Sequence, residues 1–487
     1  MPVLEIFHLH PLGWENDPEE EKIPLSTLDY LPPFLYNNYV LFFKLDDEGK
    51  SRMAVLLRVG LERTLSQARH LCGTIEMDAG TGGHAFVRRR ESTVEFHVQW
   101  LDSSPCSHYP SFSELEAHNF SSRAMGDLGL WSVAPMTHGL KPEADIDNSP
   151  AVSAFKANFV RGGLVFNMHV HHCSNDIMGW ASFTHQLAEN CRAIYLNDET
   201  AFPSWDPACL DRSRFTSREP IPEAAKIDDA PGPGEPHPGL LPIIPLLFHL
   251  PKSKAARLKA LATPPPDATT GPSWISTFDA FSAFIWRTLL RIRSGVFQAE
   301  ASPTLLWMAP INLRRRLGTD GATATNGQLC PPRAQGNVFT LARVSTTAAS
   351  VGSGPLREVA ALVRSAVAAA STPKALEERI RAAAAVRDKT ALSFRADRLS
   401  PLTLVVTDWR AADVTAADFG PPAGGAPVAF RHVSDDVTRC VVQVYPPRRG
   451  DGEDEGCEFV ITFESSLAQA LIEDTEWSEF FEYRGVM

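Results

Sequence analysis

"GGLVFNMHVHHCSNDIMGWASFTHQLAENCRAIY", residues 162–195, is the stretch on which the reading of this chain turns. Its first part alternates. Val165, Asn167, His169 and His171 fall on one face of an extended segment, and Phe166, Met168, Val170 and His172 on the other, as the two-residue period of a strand requires. Past Asp176 the period changes: Trp180, Phe183, Leu187, Cys191 and Ile194 recur at helical spacing. The stretch predicts a strand end, a tight connection and a helix start, with the reactive side chains on the connection.

Three chemistries fit that connection. His169 and His171 project together with Cys173 near, a set that zinc accepts, but no second cluster at ligand spacing follows, and the expectation is no metal. His172 stands where the strand stops, at a position that can face a cleft, and is a candidate general base. Asp176, four residues on, is then either a plain helix N-cap or the group that holds the loop and its imidazole. The third reading is three ordinary histidines at a strand end. Spacing alone leaves these open.

Working outward, "YVLFFKLD" (39–46) reads as a strand and "AVLLRVGLERTLSQARHL" (54–71) as a helix with Leu57, Leu61, Leu65 and Leu71 inward. Residues 73–90 read as a hairpin. Its "AGTGG" is a glycine turn rather than a phosphate cradle, since no lysine or helix start follows. Residues 211–242 are rich in Pro, Gly and charge and read as an exposed linker. The second half restarts with a strand at 246–250 and helices over 253–262 and 273–293, the latter with Ser276 and Asp279 as a cap pair. A buried strand over 302–313 and a loop over 317–335 follow, then alanine-rich helices within 355–387. Strands near 402–407, 438–445 and 457–463 close the chain. The expected division is a first domain over 1–210, a crossover linker over 211–242 and a second domain over 243–487.

The bulk numbers set limits. The 487 residues are 44% apolar and 21% charged, an ordinary globular composition. A net charge of −12 argues against a nucleic-acid binder. The arginine triplets at 88–90 and 314–316 have no interleaved aromatics. Eight cysteines are scattered without a CxxC pair, which fits a reduced, cytoplasmic protein better than a disulfide scaffold. "LLPIIPLLFHL" (240–250) is too short to span a bilayer, so no membrane insertion is expected.

Several pieces then occur in a telling order. "HHCSND" (171–176) resembles the His-x-x-x-Asp motif of the BAHD acyltransferases, and "TDWRAADVTAADFGPP" (407–422) resembles their Asp-Phe-Gly-Trp-Gly signature with its upstream Thr-x-Trp. "RTLSQARHLCGTI" (63–75), "STFDAFSAFIWR" (276–287), "INLRRRL" (311–317) and Gly336-Asn337 are similar to further elements of that family. The N-terminus looks most like the fungal branch, which includes trichothecene 3-O-acetyltransferase.

The resemblance implies an α/β fold (α+β layers) of two chloramphenicol-acetyltransferase-like domains. Each is a mixed β-sheet flanked by helices, and a channel runs between them. It implies acyl transfer, acetyl first, from acyl-CoA to a hydroxyl or amine of a small specialised metabolite, in secondary metabolism such as mycotoxin biosynthesis. Coenzyme A and the acceptor are the partners of a monomeric enzyme that uses no metal. By position the base is His172, with Asp176 orienting its loop. A neutral imidazole, of ordinary pKa about 6.5, suits removal of a hydroxyl proton near neutral pH. Thr407 and Trp409 are implied to stabilise the oxyanion or position the acyl group. Asp418 and Gly420 are implied to be structural, with Asp418 paired to Arg314 or Arg316. Ser276, Thr277 and Asn337 are candidates for the coenzyme side. The chain departs from the family at Ile177, where glycine is usual, and at Pro421-Pro422, which replace Trp-Gly. Two alternatives stand beside this reading: a condensation-like enzyme using a carrier-protein thioester, and a ligand-binding relative without turnover.

Overall fold

In the computed structural model the strand read at 162–172 spans Gly163–His171 and is buried along its whole length. Both faces can be buried because the strand is interior to a six-stranded sheet. The order is Val3–Leu9, Val94–Trp100, Ser153–Val160, Gly163–His171, Tyr36–Lys44 and Ala429–His432. One face packs Phe166 and Met168 against Leu57 and Leu61 of the helix Lys50–Gln67 and Leu187 of the helix Ile177–Leu196. The other packs Val40, Phe42 and Val165 against Leu128 and Trp131. On that second face the amides form a chain: Asn158 donates to Asn167, Asn167 to Asn38, and Asn38 to Ser132.

The second sheet has seven strands, ordered Phe339–Thr347, Thr304–Asn312, Leu404–Asp408, Val441–Val444, Cys457–Glu464, Ile243–Leu250 and Glu482–Val486. Leu404–Asp408 runs parallel to both its neighbours, and the remaining pairs are antiparallel. The helices Thr277–Arg293 and Leu356–Ala370 bury Phe281, Phe284, Val359 and Val363 against it. A small third sheet joins Glu20–Pro24, Gly83–Arg89 and Thr74–Asp78. All residues are described except 1, 81, 104–107, 135, 138, 218–220, 228–235, 238, 266–270, 298–303, 315–329, 435–437 and 451. Among the described residues no helix is long and apolar enough to cross a membrane.

Two expectations change. The strand Ala429–His432 belongs to the second half by sequence, yet it pairs antiparallel with Tyr36–Lys44, Phe430 opposite Leu41, and completes the first sheet. A cut at residue 243 therefore does not separate two closed domains. The linker is not exposed at its start: Arg212 and Phe215 are 5% and 2% exposed. Most of the loop read at 317–335, and Arg316 with it, lies outside the described residues.

The crossing is locked by charge. Glu458, on Cys457–Glu464, is 1% exposed and accepts from Arg431 of the crossing strand and from Arg448 and Arg484. The guanidinium groups hold its carboxyl down at about 2 even though burial pushes the other way. Pro421 and Pro422 open a short turn, Pro421–Ala423, where a missing N–H leaves no bond unmade.

Candidate active site

His172 is the first residue past its strand. Its backbone N–H donates to Leu35 O at 2.9 Å, which fixes the main chain, while the side chain lines a cavity of about 220 Å³. The first sheet contributes Asn37 and Tyr39 to the walls; the second contributes Met308, Leu341, Thr407 and Gln443. The cavity is thus the seam between the sheets. His172 Nδ1 is buried and Nε2 is the ring nitrogen left for chemistry. Burial lowers the imidazole pKa below its usual value, opposed by backbone carbonyls and the Asp176 charge. The ring is neutral at neutral pH.

The other two histidines are tied to backbone. His169 Nε2 accepts from Val133 N–H at 3.0 Å. His171 Nδ1 accepts from Cys173 N–H at 3.2 Å and its Nε2 donates to Ala144 O at 2.8 Å, which specifies a neutral tautomer. Burial drives them down to about 3 and about 4, and it pushes the Cys173 thiol well up. Among the described residues no group of three or more His, Cys, Asp or Glu could hold a metal ion.

The loop 172–176 is gripped from three sides. Asp176 Oδ1 caps the following helix through Gly179 N–H at 2.8 Å. Its Oδ2 accepts from Arg314 Nη1 and Val338 N–H, both at 2.9 Å. Arg314 is used up, since Nε and Nη2 donate to the carbonyls of Ala334 and Gly336 at 2.9 Å. Asn337 Nδ2 donates to the carbonyls of His172 and Cys173, and its N–H and Nδ2 both reach Asp29. Asp29 in turn pairs with Arg212 at 2.9 Å, and Arg212 donates to Ser174 O at 2.7 Å. Asn175 Oδ1 accepts from Gly336 N–H at 2.7 Å. Gly336 has φ +99°, and a Cβ there would sit 3.1 Å from Arg212.

These contacts correct part of the expected site. Asp418 does not pair with Arg314: its Oδ1 accepts from Gly420 N–H at 2.9 Å, and Oδ2 faces Arg192 at 3.5 Å, both side chains about half exposed. Arg314 went instead to the more deeply buried carboxylate, where an unpaired charge is worse. Gly420, at φ +91°, shapes the turn that brings Gly425 N–H back to its carbonyl. Ser276 spends its hydroxyl on the capping box with Asp279, Thr277 is the first residue of that helix, and neither lines the cavity. Asn337 spends its amide on the backbone of His172 and Cys173 and on Asp29. Asp29 and Arg212 went unread. Asp29 sits in a visible Ser-x-x-Asp cap pattern, Ser26 to Asp29, but a lone arginine in a Pro-rich stretch gives no signal.

Thr407 and Trp409 come together at the cavity wall, and they divide the work. Trp409 Nε1 donates to Thr407 Oγ1 at 2.8 Å, so the indole N–H is spent. The threonine oxygen already accepts, which leaves its own proton to donate. The indole ring is set edge-on against Tyr39 and His432, at 5.8 and 5.6 Å between centroids.

Comparison with known proteins agrees with this architecture. Residues 35–191 match the model of the trichothecene 3-O-acetyltransferase-like N-terminal domain, and residues 125–477 match that of the transferase family. Acetyltransferase FGR3 of Gibberella zeae is 53% identical across 100% of this chain and 95% of its own. The crystal structure of F. graminearum TRI101 with coenzyme A and T-2 mycotoxin superposes with a TM-score of 0.75 at 20% identity, covering 96% of this chain and 100% of that one. Vinorine synthase superposes at 0.65 and 18% identity, covering 99% and 98%. These two likenesses show the fold.

Proposed function

Because this chain belongs to the transferase family and begins with a domain of the trichothecene 3-O-acetyltransferase-like type, we propose that it moves an acyl group, acetyl first, from a coenzyme A thioester to a hydroxyl of a small specialised metabolite. The observation that carries this reading is His172: neutral, braced through its backbone, and turned into a mainly apolar cavity between two sheets.

In this reading His172 Nε2 takes the acceptor's hydroxyl proton as the oxygen bonds to the thioester carbonyl carbon. The carbonyl electron pair moves onto oxygen, and the Thr407 hydroxyl donates to that oxyanion. Trp409 positions Thr407. When the carbonyl re-forms, the carbon–sulfur bond breaks and the imidazolium returns its proton to the departing thiolate. A positioned base of this kind contributes about 10²–10⁴-fold. Asp176 is a positioning residue, since its oxygens are occupied by Gly179, Arg314 and Val338.

Three relatives favour acetyl and oxygen: the acetyltransferase of Gibberella zeae and the eremophilane O-acetyltransferases of Penicillium roqueforti and Penicillium rubens, the latter two 23% and 24% identical over 94% of this chain. The test is thiol release from acetyl-CoA with a panel of terpenoid and polyketide alcohols. Product should form with the wild type and fall at least a hundredfold in His172→Ala with unchanged circular dichroism. Turnover only with a carrier-protein thioester, or equal turnover in the variant, refutes the proposal.

A further inference from the structure

Asn37 is one of several polar groups of the cavity, with Asn312, His432, Thr438 and Gln443, to which the acyl-transfer step gives no role. Leu35, Asn37 and Tyr39 alternate onto one face of the chain, and all three line the cavity. Leu35 holds the His172 N–H through its carbonyl, and Asn37 lies opposite Val170, two residues before the base. The amide therefore stands beside His172, on the first sheet, while Thr407 stands on the second.

Asn37 is 4% exposed, and its Nδ2 has no hydrogen-bond partner. Its neighbour Asn38 shows what a structural amide looks like in the same strand: Nδ2 donates to Ser132 at 2.9 Å and Oδ1 accepts from Asn167 at 3.1 Å. Buried donors are nearly always paired, because leaving one unmade forfeits its water and gains nothing. Asn37 belongs to the cavity lining, so a ligand seated there is the partner within reach of this unmade donor. The base must stand next to the reacting hydroxyl, so a donor beside the base meets the acceptor rather than the thioester carbonyl, which the opposite wall serves.

We propose that Asn37 Nδ2 donates a hydrogen bond to a second oxygen of the acceptor, a hydroxyl, ether or carbonyl close to the reacting hydroxyl, and so selects oxygenated but otherwise apolar skeletons. This rests on the acyl-transfer reading of His172. The apolar lining of Leu31, Met178, Met308, Leu341 and Phe394 takes the carbon framework.

The experiment compares 2-decalol with decalin-2,3-diol as acceptors of acetyl-CoA, in the wild type and in Asn37→Leu, alongside thermal melting. The wild type should favour the diol by about tenfold in kcat/KM, the size of one lost hydrogen bond. Asn37→Leu should lose that preference through the KM for the diol, keep its KM for acetyl-CoA, and melt no lower than the wild type. A preference retained in the variant overturns the proposal. So does a fall in kcat with both alcohols and in acetyl-CoA hydrolysis, which would place Asn37 on the thioester oxyanion. Lower melting with unchanged kinetics would make it a structural amide and also overturns it. Should the wild type acetylate neither alcohol, the proposal fails, and His172-dependent hydrolysis of acetyl-CoA decides whether the acyl-transfer reading falls with it.

Discussion

At the scale of the residue, the proposed chemistry separates groups that act from groups that hold. His172 lines the cavity with its Nδ1 buried. Thr407 has an acceptor already filled by Trp409 and a proton to give. Thr407→Val keeps the shape and removes that proton, so kcat should fall by about 10²-fold, on the scale of a lost oxyanion donor, and the melting temperature should drop as well, because the buried Trp409 N–H loses its acceptor. Single-turnover rates on acetyl-CoA check this. The place of His172 at the cavity wall is legible in the sequence, because a strand that ends in a polar residue before an N-cap aspartate leaves that residue at an edge. The partners of Asp176 were not legible. Arg314 stands 138 residues away, and nothing local distinguishes a guanidinium bound for Asp176 from one bound for Asp418.

At the scale of the element, the decisive unit is the connection 172–176 with the helix behind it. Gly179 is the third residue of that helix, Ile177–Leu196. Alanine in a helix interior is ordinarily better than glycine by about 1 kcal/mol. Here a Cβ would lie 2.3 Å from Asn175 Oδ1 and 3.2 Å from Arg314 Nη2, so the clash wins. Gly179→Ala should displace Asn175 from Gly336 N–H, lower stability by about 1–3 kcal/mol and reduce turnover, with urea melts and initial rates as the measures. A gain in stability would mean the loop is softer than its contacts indicate. The period change at Asp176 makes this element readable. Ser276 shows the opposite case. Its cap role is visible in the sequence, but the coenzyme expectation is weakened, because the one hydroxyl proton is already given to Asp279 and an anionic phosphate would need a donor.

At the scale of the whole molecule, the two sheets are one construction. Ala429–His432 leaves the second half to finish the first sheet, and Arg431 on that strand reaches back to Glu458. Four residues, "AFRH", are too few for periodicity to register, and this is why the sequence suggests two separable halves. Glu458→Gln leaves the fully buried Arg431 charge without its counter-ion, and breaking such a pair costs about 3–5 kcal/mol. The pH dependence has a definite sign. The carboxyl titrates at about 2 in the fold and near 4.5 when free, so its stabilisation is present above about pH 4.5 and is lost as pH falls toward 2. Calorimetric melts from pH 7 to pH 3 should show the wild type losing stability toward Glu458→Gln, with the two curves converging. A constant gap across that range would remove Glu458 as the lock between the sheets.

The most direct measurement is the pH profile of kcat/KM for acetyl transfer to a neutral alcohol. Burial holds the His172 imidazole below its ordinary 6.5, and only the neutral ring can accept a proton. The rate should therefore rise with pH to a plateau through a single ionisation centred below 6.5, and that limb should vanish in His172→Ala along with most of the activity. A midpoint above 6.5, or the same profile persisting at full rate in the variant, would show that another group takes the proton.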